Sequence, residues 1–181
     1  MTLSLDINTE DDRWGDLDPL ARRAICAALV HLGHDPALFE VSLLACDDAR
    51  IATLNAEFRG KPAPTNVLSW PAWDLSPDTP GALPEPPEPG TPADPELLGD
   101  IALSFDTCQR EAFEQGKPPD HHTTHLIVHS VLHLLGYDHQ TDADAQRMEE
   151  TEIAILASLG IADPYTDSSA GPPDADAGLV S

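Results

Sequence analysis

Basic residues are scarce in this chain: 9 lysines and arginines face 32 aspartates and glutamates, for a formal net charge of -23. A basic footprint is the usual sign of a nucleic-acid binder, so composition alone points away from RNA and DNA. Any such contact must rest on local charge, because exposed charges are screened beyond ~10 Å. Cysteine is also sparse. Cys26, Cys46 and Cys108 are odd in number and far apart, which excludes a disulfide framework and fits small buried thiols kept reduced in a cytoplasm. No segment approaches the ~18 continuous apolar residues of a membrane span, and MTLSLDINTEDDRW has no basic run leading into an apolar one. A cytoplasmic protein with no membrane partner is expected.

Proline is plentiful, 18 among 181 residues, too many for a uniformly packed body. The prolines and many of the acids concentrate in two places. The stretch 71–96, with Asp74, Asp78, Glu85, Glu88 and Asp94, has no apolar period and reads as a flexible acidic insertion. The stretch 162–181, with Asp163, Asp167, Asp174 and Asp176, is too poor in apolar residues to offset its ordering entropy and reads as a disordered acidic tail. What remains, 1–161, has the size of a single domain.

Within it, Leu3, Leu5 and Ile7 alternate as in a half-buried strand. Leu17 to Leu32 repeats its apolar residues at helical spacing, with Asp16 or Asp18 placed to cap the start and Gly33 the end. Phe39 to Cys46 is a short apolar strand, and Asp47 and Asp48 then open a helix whose face is Ile51, Leu54 and Phe58. Asn66 to Trp70 and Leu97 to Phe105 are further strands, the latter with a glycine that marks a bulge or a close approach. Helices follow over Asp106 to Gln115, from near Asp120 to Gly136, and over Ala143 to Leu159, the last burying Met148, Ile153, Ile155, Leu156 and Leu159.

Chemistry concentrates in HLIVHSVLHLLGYDH, from His125 to His139. At ~100° per residue, His129 and His133 stand one turn apart on one helix face, so both imidazoles can reach a single ion. Gly136 stops the helix, and the turn that follows brings His139 back as a third ligand. Three protein ligands leave a fourth tetrahedral position for water, the pattern of a catalytic zinc site rather than a closed structural one. Such an ion lowers the pKa of its water to ~7, which makes hydrolysis its natural use. As ordinary polar positions these histidines are hard to explain. Leucine, isoleucine and valine cover most of the helix circumference, leaving a narrow polar stripe of His125, His129 and His133, and buried polar groups cost ~1–3 kcal/mol when unpaired.

Ser130 stands where a metallopeptidase of the HExxH type carries its general-base glutamate, which lowers the peptidase reading. Asp138 is placed to orient His133 or His139, to act as a base, or simply to make the turn. His125 is placed for a supporting role or for substrate contact. Arg59 follows a helix and precedes Gly60 and Lys61, where a guanidinium can grip phosphate bidentately. It also suits a helix end on dipole grounds alone.

The histidine segment resembles the HGxLHLxGYDH motif of the YbeY family of rRNA maturation factors, with serine at the first glycine. LNAEFRGKPAPTNVLSW and LLGDIALS resemble the family's other two blocks, and together these cover most of Asp47 to Leu159. The resemblance implies an α+β fold in which a small mixed β-sheet is packed by about four or five helices, related to zincins. It implies a zinc-dependent, single-strand-specific endoribonuclease acting in 16S rRNA 3′ end processing and ribosome quality control. One Zn2+ on His129, His133 and His139 is implied, with Arg59 in RNA cleavage. The implied partners are single-stranded rRNA, the small ribosomal subunit and its assembly factors. Two rivals stay open: a non-catalytic ribosome assembly factor with a structural zinc, favoured by the acidic charge, and a metallopeptidase. Whether water or a 2′-hydroxyl attacks the phosphodiester is left open as well.

Overall fold

Alternation along 39–45 is strict: Phe39, Val41, Leu43 and Ala45 are buried while Glu40, Ser42 and Leu44 are partly open, and Cys46 after them is buried as well. Strand propensity and a two-residue period make this segment the hub of the sheet. The computed structural model describes residues 2–165, so most of the expected tail lies outside the described residues. Four strands, β1 (Ser4–Thr9), β2 (Phe39–Cys46), β3 (Val67–Pro71) and β4 (Glu96–Ser104), lie in the order β1-β2-β4-β3. The first three in that order are parallel and β3 is antiparallel to β4. Five helices, α1 (Asp18–His31), α2 (Asp48–Arg59), α3 (Phe105–Gln115), α4 (Pro119–Leu134) and α5 (Asp142–Ser158), complete a mixed α+β architecture.

The two faces of the sheet are unequal. Val41, Leu43, Ala45, Val67, Ile101 and Leu103 join the large core with α1, α4 and α5. The alternate residues Cys46, Leu68 and Ala102 meet Ile51 of α2 in a small cluster on the other face, with Leu44, Leu54 and Trp70 packed against it. Arg59, the last residue of α2, therefore belongs to the face opposite α4.

Gly99 is both a bulge and a close approach. The β2 register passes from Glu40 and Leu97 to Val41 and Gly99, leaving Leu98 as the extra residue. A Cβ at Gly99 would stand 2.3 Å from the Trp70 carbonyl oxygen and 2.7 Å from Leu134 Cδ2. Only glycine lets β3 and α4 close on β4 together.

Helix starts differ in detail from the sequence expectation. Leu17, not an aspartate, sits at the N-cap of α1, and Asp16 makes only a 3.3 Å contact with the Asp18 amide. Asp47 does cap α2, through the Arg50 amide. The three cysteines are free thiols, and burial pushes Cys46 up to about 12.

The segment between β3 and β4 carries neither helix nor strand, yet it is tied at several points. Gly81 donates its amide to Asp144 at 2.7 Å, and its carbonyl accepts from Arg147 Nε at 2.7 Å. The Gly90 amide donates to the Leu38 carbonyl. Its backbone also passes over the turn after α4, where a Cβ on Gly136 (φ 99°) would lie 2.5 Å from the Leu75 carbonyl oxygen.

Candidate active site

Pro119 at the first helical position and Asp120 in the first turn suit the start of α4, and every residue from His122 to Leu134 is buried. Apolar side chains occupy most of its surface because α1, α3, α5 and β3 all pack on it. The histidines at 122, 125, 129 and 133 fall three or four residues apart and form one buried stripe. Each has a specific partner for one ring nitrogen.

Glu152 of α5 is the central one. It is fully buried and accepts from His125 Nε2 at 2.8 Å, from His129 Nδ1, and from the Tyr165 hydroxyl at 2.6 Å. Burial alone would raise its carboxyl. Attraction to the His129 ring and the hydrogen bonds from His125 and His129 outweigh that and hold it ionised, well below the ordinary carboxylate range. Burial and the neighbouring Glu152 charge push Tyr165 far up, so its hydroxyl keeps its proton and donates.

An ionised acceptor fixes the histidine tautomers. His129 places its Nδ1 proton on Glu152, which leaves Nε2 as the lone-pair nitrogen, and that atom is buried without a hydrogen-bond partner among the described residues. His125 is turned the other way: its Nε2 lies on the carboxylate, and its Nδ1 is buried without a hydrogen-bond partner among the described residues. Burial holds His125 below the ordinary histidine range despite that carboxylate. His133 donates Nδ1 to the Tyr137 carbonyl at 3.2 Å, again with Nε2 at the far side of the ring.

The turn after α4 returns His139 to the helix. Its ring lies beside that of His129, centroids 5.9 Å apart and planes 25° from parallel. Asp138 accepts from the His139 backbone amide at 2.7 Å, the contact of a turn-making residue. Among the described residues no group of three or more His, Cys, Asp or Glu side chains is placed to hold a metal ion. The donor chemistry nonetheless fits a divalent ion. His129 offers a buried, oriented imidazole nitrogen, Nε2, without a hydrogen-bond partner among the described residues, and His122 Nδ1 and His125 Nδ1 share that condition.

Glu149, one turn before Glu152, is half-buried on the same side. Burial raises its carboxyl, and repulsion from Glu152 and Asp163 adds to this against the pull of His129 and His139. Asn66 just before β3 and Ser69 within it are both buried. Asn66 ties Glu111 of α3, which also accepts from His122 at 2.9 Å.

A cavity of about 620 Å³ opens beside His133, between the Pro71–Pro77 stretch and the turn residues Gly136, Tyr137 and Asp138. Trp70 lines it and also lines the groove near Phe58 on the α2 face, so the two faces of the sheet meet at the edge strand β3.

The profile of the family described as Endoribonuclease YbeY matches residues 6–160. The chain belongs to the endoribonuclease YbeY family. Its YbeY relatives include the Dinoroseobacter shibae protein, 63% identical over 90% of this chain and 90% of that one. The Ruegeria pomeroyi protein is 63% identical over 91% and 99%, and that of Paracoccus denitrificans 57% identical over 90% of each. All three are called Endoribonuclease YbeY. A solution structure from Thermotoga maritima shares the fold, with a TM-score of 0.52 and 17% identity over 86% of this chain and 91% of that one. In this YbeY chain sequence reasoning missed Glu152, Glu149 and Tyr165. One signal for the first was present, a carboxylate on the apolar face of α5, one turn from both Met148 and Leu156.

Proposed function

We propose that the chain is a zinc-dependent endoribonuclease that cuts unpaired RNA during rRNA maturation in the cytoplasm, alongside the small ribosomal subunit and its assembly factors. The observation that carries it is His129, oriented by a buried ionised Glu152 so that an unpartnered Nε2 is presented beside the His139 ring. His129, His133 and His139 would hold the ion, on a helix and the turn after it, in the manner of zincin-like hydrolases. When bound, zinc supplies Lewis acidity and activates water near neutral pH. The chain's own residues do the rest: Glu152 and the Tyr137 carbonyl hold two imidazoles in their ligating tautomer, and Glu149 is placed to accept a proton. Arg59 grips phosphate from across the β3 edge, where RNA laid over that strand meets both faces of the sheet. A peptidase assignment has no support at Ser130, a fully buried residue with no carboxylate.

Metal analysis of the purified chain and of His133→Ala, paired with cleavage of an unstructured RNA, tests the proposal. About one zinc per chain and metal-dependent cutting are expected in the parent, with both lost in the variant. Equal metal content in the two would refute the ligand set, and cleavage that survives exhaustive chelation would refute zinc dependence. Proteolysis by an RNA-free preparation would instead favour the peptidase.

A further inference from the structure

Trp73 is 56% exposed although indole is the largest apolar side chain, and it stands in the wall of the cavity beside His133. Trp70 lines the same cavity and carries a buried indole N–H without a hydrogen-bond partner among the described residues. The rim is acidic, with Asp74, Asp138 and Asp144. A phosphate is repelled there, whereas the edge of a nucleobase brings N–H donors and a π-face that stacks on indole. The wall is held in place, because Leu75 rests on Gly136 and Gly81 is fastened to Asp144 and Arg147 of α5.

We propose that this cavity is a nucleobase subsite, in which one unpaired base of the RNA stacks on Trp73 while its phosphodiester lies toward His133. The inference rests on the reading that the histidine patch is where RNA is cut, and it adds the element that grips the strand next to that point. A base in a duplex has both faces covered by its neighbours and cannot enter. The cavity volume of about 620 Å³ lies within the range of small-molecule sites. The subsite thereby assigns a task to the acidic segment: it supplies a stacking wall, not charge, to a polyanionic substrate.

The test uses the full chain loaded with zinc, with Trp73→Ala and Trp73→Phe, on a short unstructured RNA and on the same RNA with abasic riboses flanking the cut bond. Trp73→Ala is expected to raise KM about tenfold with kcat little changed, and Trp73→Phe to recover most of the loss. On the abasic RNA the parent should fall to the level of Trp73→Ala, and the two should no longer differ. Quenching of tryptophan fluorescence by the intact oligonucleotide should be largely lost in Trp73→Phe. An unchanged KM in Trp73→Ala, or an equal loss on both RNAs, overturns the subsite. His133→Ala separates the two readings: if it still cuts RNA, the histidine patch is not the cutting site, while the quench independently reports whether a base stacks on Trp73.

Discussion

Glu152 and His129 are 23 residues apart in sequence and share a buried hydrogen bond between α5 and α4, with the imidazole donating from Nδ1. The same carboxylate accepts from His125 and Tyr165, so every group around it gives a proton and none offers a lone pair. Glu152→Gln keeps the volume but sets an amide N–H against one of those donors. It should weaken zinc binding by about 10- to 100-fold, the usual effect of losing a partner that orients a ligating histidine. Competition with a chelator reads this directly, and an affinity equal to the parent's would remove Glu152 from the site.

Gly136 sits at φ 99° with the Leu75 carbonyl where its side chain would be. Gly136→Ala should lower stability by about 1–3 kcal/mol and loosen the segment that rests on the turn. Urea midpoints measure the first effect, and the rate of proteolytic nicking between Trp73 and Gly90 the second. A variant indistinguishable from the parent in both would mean that the close approach carries no weight.

Arg59→Ala should reduce cleavage by about 10²- to 10³-fold, the range seen when one group stabilising transition-state charge is removed. The thermal midpoint should stay close to the parent's. A variant that cuts normally would assign Arg59 to the end of α2 and nothing more.

Acid stability should depend on Arg13. Its hydrogen bonds hold Asp106 and Asp11 below the ordinary aspartate range. A depressed carboxyl stabilises the folded state above its unfolded pKa of about 4, and the contribution is lost as pH falls through the folded value. Arg13→Met should therefore be less stable than the parent at pH 6, with the gap narrowing below about pH 4. Denaturant titrations at both pH values check this, and a gap independent of pH would contradict it.

The elements were legible where one physical signal dominated. Phe39–Cys46 falls on the predicted residues because alternation and strand propensity agree there. The stripe on α4 was visible because apolar neighbours left no other reason for His129 and His133. Other features depend on the third dimension. Glu152 reaches the histidines only because α5 packs on α4; its place on the apolar face of α5 signals burial but not which partners it meets. The sequence alone did not place Arg59 on the face of the sheet opposite α4, since the face a helix covers follows from the crossover and not from its own pattern. At α1 the expected aspartate cap gave way to Leu17, whose burial in the core outweighs a capping bond.

Helix α5 is fastened twice, near its start through Asp144 and Arg147 to Gly81 and further along through Glu152 to the histidines. It works as a tie rod between the segment that carries Gly81 and the imidazoles. A slide or tilt of that rod would shift the Gly81 segment and the imidazoles together, so the two are mechanically geared.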